Sequence, residues 1–132
     1  MTNSTLSVVE DFFGRLGAGE ADRALELLAE PLDWFTPGDT ALIPWMGRRT
    51  TRGEVADFFE QAGENLTPEE FAVERILAED GTAVALGRFR YRVNATGKSF
   101  ASEFAVELHV CDGLITRYRM HEDSYAISLA FL

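Results

Sequence analysis

A single cysteine, Cys111, leaves no internal disulfide to form, and His109 and His121 beside it make no imidazole or thiolate cluster at zinc spacing. Neither a structural metal nor a cofactor is expected. Cations are scarce too: 12 Lys and Arg stand against 22 Asp and Glu, a formal charge of −10. Phosphate backbones bind through clustered Lys and Arg, so this balance excludes nucleic acid as a partner. The apolar residues, 46% of the chain, come in short runs, none of the length that crosses a bilayer, which excludes membrane insertion. The opening MTNSTLSVVEDFF lacks a basic segment followed by an apolar stretch and a small-residue cleavage site, so a cytoplasmic protein is expected. Without secretion the Asn-x-Ser/Thr triplets at Asn3, Asn65 and Asn94 carry no glycan, and Asn94 reads as a turn residue.

What is present is one domain, residues 1–132, long enough to bury a core without staples. Leu6, Val9, Phe13 and Leu16 recur at helical spacing, with Val8 and Phe12 widening the stripe, and predict a helix over Thr5 to Leu16 that GAG stops. A second short helix is expected from about Ala21 to Ala29, ahead of Pro31. A third begins at Thr51, where Thr51 and Glu54 have capping-box spacing, and carries Val55, Phe58, Phe59 and Ala62 inward. Between them a short strand is expected near Leu32 to Thr36, then an irregular loop. After Pro68 the pattern changes to strands, roughly Phe71 to Ala78, Thr82 to Val93, Lys98 to Val110 and Leu114 to Glu122, joined by turns at DG, NATG and CDG into an antiparallel meander. SYAISLAF adds a final helical turn or two, capped by Asp123 or Ser124. Helices first and a sheet after, each with an apolar side to bury, define an α+β domain.

The alternation in the strands sorts their residues. Phe100, Phe104, Val106 and Leu108 fall on one face; Glu103, Glu107 and His109 fall on the other. Phe89, Tyr91 and Val93 oppose Arg88, Arg90 and Arg92, so arginines and glutamates can face each other across an outer surface, solvated or at a dimer interface. Val84 and Leu86 share the parity of the arginines; either Gly87 marks a bulge that switches register, or a partner subunit covers them. In TRYRMHED, Thr116, Tyr118, Met120 and Glu122 read as inward with Leu114, while Arg117, Arg119, His121 and Asp123 read as outward with Ile115. A bulge before His121 would bring His121 and Asp123 inward as a pair.

VVEDFFGRLGAGEADRALELLAE, PWMGRRTTRGEVADFF and TGKSFASEFAVELHVCDGLITRYRMHEDS, in this order and spacing, resemble the SnoaL-like branch of the NTF2-like superfamily over nearly the whole chain. That fold is shared by ketosteroid isomerases, polyketide cyclases, limonene epoxide hydrolases, dehydratases and non-enzymatic binding proteins. The resemblance implies a cone-shaped barrel, N-terminal helices packed in a curved antiparallel sheet, often dimeric, with a pocket between helices and sheet. By position the pocket would be lined by Phe12, Trp34, Thr36, Phe59, Phe89, Tyr91, Phe104, Val106, Tyr118 and Met120, with Trp45 at its mouth. Such a lining suits a small hydrophobic molecule such as a steroid, terpenoid or polyketide.

The family's acid/base groups are not found at their positions. The ketosteroid isomerase base, phenol and carboxyl positions resemble Thr36, Phe12 and Val106; the epoxide hydrolase Arg and Asp fall on Gly87 and Phe89; the second Asp, and the cyclase acid, fall on Met120, whose thioether transfers no proton. If the protein is an isomerase, cyclase or dehydratase, its acid/base is relocated, and Glu122 is the residue placed for it, with Tyr118 or Tyr91 as donor to a substrate oxygen. His121 and Asp123 are the second candidates, although Asp123 is also the cap of the last helix. The alternatives are a pocket that only binds, and a homodimer through the outer sheet face.

Overall fold

The structure, a computed structural model, describes residues 4–132; Asn3 lies outside the described residues. Helix α1 (Thr5–Gly17) starts where the Ser4 hydroxyl accepts the Ser7 N–H, and it buries Val8, Val9, Phe12 and Phe13. Helix α2 (Ala21–Leu25) is shorter than its composition predicts, because β1 (Leu28–Thr36) begins at once: Leu28 pairs with Ile115, and Ile115 donates its N–H to Leu27 O at 2.7 Å. Tertiary pairing here overrides the helix propensity of a leucine-rich run. After the loop at 37–46, β2 (Gly47–Arg49), a strand not expected from the sequence, pairs antiparallel with β1. Helix α3 (Arg52–Asn65) opens on the anticipated capping box: the Thr51 hydroxyl accepts the Glu54 N–H at 3.1 Å, and Glu54 accepts the Thr51 N–H at 3.2 Å.

Strands β3 (Leu66–Glu79), β4 (Thr82–Val93), β5 (Ser99–Cys111) and β6 (Leu114–Glu122) form the antiparallel meander, and α4 (Ser124–Ala130) closes the described chain. Asp80 and Asp112 both take a φ of 53°, the left-handed turn conformation Asp tolerates. The sheet order is β2-β1-β6-β5-β4-β3, with β1 running parallel to β6, so the sheet is mixed and open, with β2 and β3 at its edges. Its edge position lets β3 hold Pro68, where the register shifts. The helices cover one face of this sheet and bury its apolar side.

One parity read from the sequence is corrected. Between the pairs His109–Arg117 and Val110–Ile115 one extra residue, Thr116, enters β6, and this bulge turns Ile115 inward, where it is fully buried. At Gly87, by contrast, β4 keeps an unbroken register on β5 from Thr82–His109 to Arg92–Ser99, so Val84 and Leu86 stay on the outer face. The bulge is in β3, between Val73 and Arg75. Gly87 is needed for a different reason. A Cβ there would sit 2.1 Å from Ala72 O and 2.6 Å from the Phe104 ring, so the glycine admits a bulged strand and an aromatic ring together.

The outer ion-pair lattice exists, but Arg88 and Arg90 take their carboxylates from β3 rather than from β5, whose Glu107 lies 3.5 Å from Arg117 instead. Arg88 lies 3.3 Å from Glu70 and 2.7 Å from Glu74, and Arg90 lies 3.1 Å from Glu69. Glu69 and Glu74 are the extra residues at the two β3 bulges, which offer their carboxylates to the neighbouring strand. At the other end of the sheet Asp33 takes Arg48 and Arg117, the latter at 2.6 Å, and Phe35 lies between the guanidinium groups of Arg48 and Arg119 at 5.3 and 4.7 Å. Most of these pairs are well exposed and each contributes little stability. Leu77 (53% exposed), Val84 and Leu86 lie beside them on this face.

Candidate functional site

The site grows from the pairing of β1 with β6. Their parallel register sets Trp34 beside Tyr118, Thr36 follows on the same face of β1, and Met120 and Glu122 follow on the same face of β6. The indole of Trp34 stacks on the Tyr118 ring at 3.7 Å and 5°, and the edges of Phe58 and Phe59 meet it from α3 at 5.7 and 5.8 Å. Phe12 meets Tyr118 edge-on at 6.2 Å. On the opposite wall Phe104 stacks on Phe89 (5.6 Å) and on Phe71 (5.5 Å), and Tyr91 tilts against Phe89 at 5.4 Å. Val106 and Met120 pair across β5 and β6 between the two walls. Trp45 packs on Phe131 at 5.7 Å.

All the expected lining residues are thus buried or half-buried, and many of their rings pack on one another. Among the described residues, hollows open to the surface at two places. One, of about 640 Å³, is bordered by Leu86, Glu103, Ala105 and His121, which belong to the outer face, together with Gly87, Phe104 and Glu122. The other, of about 490 Å³, runs between α1 and the edge strand β3 beside Leu6, Phe13, Phe71 and Ile76. Because the first hollow follows the outer face, the interior chemistry rests on the buried polar groups instead.

Those groups are few. Glu122 sits opposite Phe104, and burial pushes its carboxyl up to about 8, so it keeps its proton at neutral pH. Its Oε2 has no hydrogen-bond partner among the described residues. Burial, and after it the Glu122 charge, raises the Tyr91 phenol; the same two causes, with Tyr91 as a third, raise Tyr118 well above its ordinary value. The carboxyl and both phenols therefore share one low-dielectric space. Trp34 Nε1 and Thr36 Oγ1 are likewise buried with no partner among the described residues, in side chains 0% and 4% exposed.

The second pair of candidates lies elsewhere. β6 keeps its register from His109–Arg117 through Phe104–Glu122, so no bulge falls between Arg117 and His121, which stays exposed on the outer side. Asp123 caps α4: its Oδ1 accepts the Ala126 N–H at 3.0 Å, while its own N–H donates to Ser102 Oγ at 3.0 Å. Strand alternation marks Trp34 and Thr36 as lining but not the indole N–H and the hydroxyl as donors. In the sequence Thr36 reads as lining and as a missing base, and nothing in a linear pattern brings β1 beside β6.

An α+β domain whose helices pack on a curved mixed sheet, with an aromatic interior and a buried carboxyl at the end of its last strand, has the architecture of NTF2-like proteins. The SnoaL-like domain model matches residues 9–118, and the chain belongs to that family. Solved structures agree over nearly full length: an NTF2-like protein from Burkholderia thailandensis (TM-score 0.90, 20% identity, 98% of each chain) and one from Burkholderia xenovorans (TM-score 0.84, 23% identity, 100% of this chain and 98% of that one). TerC, co-crystallised with polyporic acid, is similar at a TM-score of 0.83 and 13% identity, over 96% of this chain and 97% of that one. No curated protein matches the sequence.

Proposed function

We propose that this SnoaL-like protein takes a small hydrophobic carbonyl compound into its aromatic interior, and that Glu122 transfers a proton to or from it, as an isomerase, cyclase or dehydratase requires. The observation that carries this reading is the buried Glu122 carboxyl, whose Oε2 has no partner among the described residues and whose charge raises the Tyr91 and Tyr118 phenols. Protonated at neutral pH, it can act as a general acid toward a carbonyl oxygen; ionised above about 8, it can take a proton from the adjacent carbon. The phenols, held neutral, supply donors to the enolate oxygen. TerC's co-crystallisation with polyporic acid supports a small organic ligand for the fold.

Exchange of α-protons for deuterium in a panel of cyclic ketones, followed by NMR, tests this. Glu122→Gln is expected to lower the rate by about 100-fold or more. An unchanged rate in the variant would remove Glu122 from the chemistry. A binding protein without catalysis is the second reading, favoured by Phe12, Val106 and Met120, apolar side chains where relatives of known activity place polar groups; ketones that bind without exchange would establish it. In either case Val84, Leu86 and Leu77, on the outer sheet face, are the residues through which we expect two copies to pair.

A further inference from the structure

We infer that Trp34 and Thr36 are the specificity-determining donors of the interior, and that they select a ligand by an oxygen acceptor, a ring ketone or quinone, over a hydrocarbon of the same shape. The inference rests on the interior being a ligand site, as proposed above, but not on Glu122 performing chemistry.

Trp34 is 0% exposed and Thr36 4%, yet neither Trp34 Nε1 nor Thr36 Oγ1 has a hydrogen-bond partner among the described residues. Buried polar groups are nearly always paired, because a donor removed from water without a partner carries its full desolvation cost. Ring packing explains the indole's position but not its unpaired N–H; phenylalanine would fill a stacked site without one. Valine would fill the Thr36 position equally well. The two side chains follow one another on the inward face of β1, the strand whose pairing with β6 sets Trp34 beside Tyr118, with Met120 and Glu122 further along the same face of β6. Three polar atoms without a partner among the described residues, Trp34 Nε1, Thr36 Oγ1 and Glu122 Oε2, thus belong to the inner faces of two adjacent strands.

The chemistry of the set limits what can satisfy it. Indole nitrogen donates only, and a hydroxyl donates or accepts. An ether-free hydrocarbon or an amine cation would leave Trp34 Nε1 unpaired, and a carbonyl oxygen would not. A ligand that replaces ring contacts with its own ring and offers that oxygen keeps the apolar packing and restores the missing hydrogen bonds. A site of this type discriminates strongly against the analogue lacking the oxygen, since its own donors are then left buried and unpaired.

Thermal shift and titration with 1-tetralone and tetralin, which differ by the carbonyl alone, test the assignment. In the free protein, Thr36→Val is expected to raise the melting temperature, because it removes an unpaired hydroxyl at constant shape. Wild type should bind 1-tetralone at least tenfold more tightly than tetralin. Trp34→Phe and Thr36→Val should each weaken 1-tetralone severalfold or more and leave tetralin unchanged; if Trp34→Phe does not fold, Thr36→Val decides alone. Equal binding of the two compounds by wild type, no response to the ketone, or an undiminished preference in the variants would overturn the inference. Glu122→Gln separates this from the catalytic reading: a variant that still exchanges protons like wild type refutes the role of Glu122, while the ketone preference stands or falls with Trp34 and Thr36.

Discussion

Replacing Glu122 by Gln is expected to stabilise the protein, and to do so more as the pH rises. In the unfolded chain this carboxyl titrates near 4.5, and in the folded protein burial holds it up to about 8. Below 4.5 both states carry the proton and the native glutamic acid costs little more than glutamine. Between the two values the unfolded state releases a proton that the folded state keeps, so wild-type stability falls by about 1.4 kcal/mol per pH unit relative to a side chain that cannot ionise. At pH 7 the accumulated difference is about 3 kcal/mol, and above pH 8 it levels off near about 5 kcal/mol. That is a large part of the 5 to 15 kcal/mol, roughly, that a domain of this size has in total. With about 2.1 cal/mol/K of unfolding entropy per residue, 3 kcal/mol is about 10 °C in melting temperature. Urea unfolding of wild type and variant at several pH values between 4 and 9 measures the difference directly, and the contributions of all other groups cancel in it. A difference that does not change with pH would mean the carboxyl is solvated and ionised in the native protein, and would refute both its burial and its role as an acid.

Gly87→Ala should destabilise by about 3 kcal/mol, because the new methyl meets Ala72 O and the Phe104 ring and the bulged β3 has to move; a melting curve checks it. Asp123→Ala should cost about 1 kcal/mol through loss of the α4 cap, and should leave the pH profile of proton exchange where it was; a moved profile would return Asp123 to the chemistry. If two copies pair through the outer face as proposed, Leu86→Arg should shift the protein from dimer to monomer in light scattering; wild type that is monomeric at micromolar concentration rules out the pairing face.

Local signals made much of this molecule legible in its sequence. Thr51 and Glu54 announced α3 because a capping box is complete within four residues, and the turns at Asp80, Asn94 to Gly97 and Cys111 to Gly113 announced the meander because hairpins are local. Strict alternation in β5 identified its buried face residue by residue. What escaped depends on distant partners. β2 has three residues and exists only because β1 lies beside it. The bulge at Thr116, which turned Ile115 inward, leaves the residue types unchanged and shifts only their pairing. Alternation puts the arginines of β4 on the correct face, but which glutamates they choose depends on bulges in β3. The candidate site was half visible: Glu122 and the phenols by alternation on their strands, Trp34 and Thr36 as lining but not as donors.

The parallel pair in the middle of the sheet has a consequence for how the protein is made. Leu28 and Asp33 to Phe35 find their neighbours at Ile115 and Arg117 to Arg119, across most of the chain, while every other strand of the meander pairs with one next to it in sequence. Loop closure over such a span delays the pairing, and topologies rich in distant contacts fold slowly. During synthesis the indole-bearing strand has to wait, with its β6 side unpaired, until the last strand leaves the ribosome. Until then the nascent chain presents a sticky edge of the sort that chaperones shield. Trp34, Thr36, Tyr118 and Glu122 come together only at that final docking, so a truncated or stalled product would lack the site and the keystone of its sheet at once.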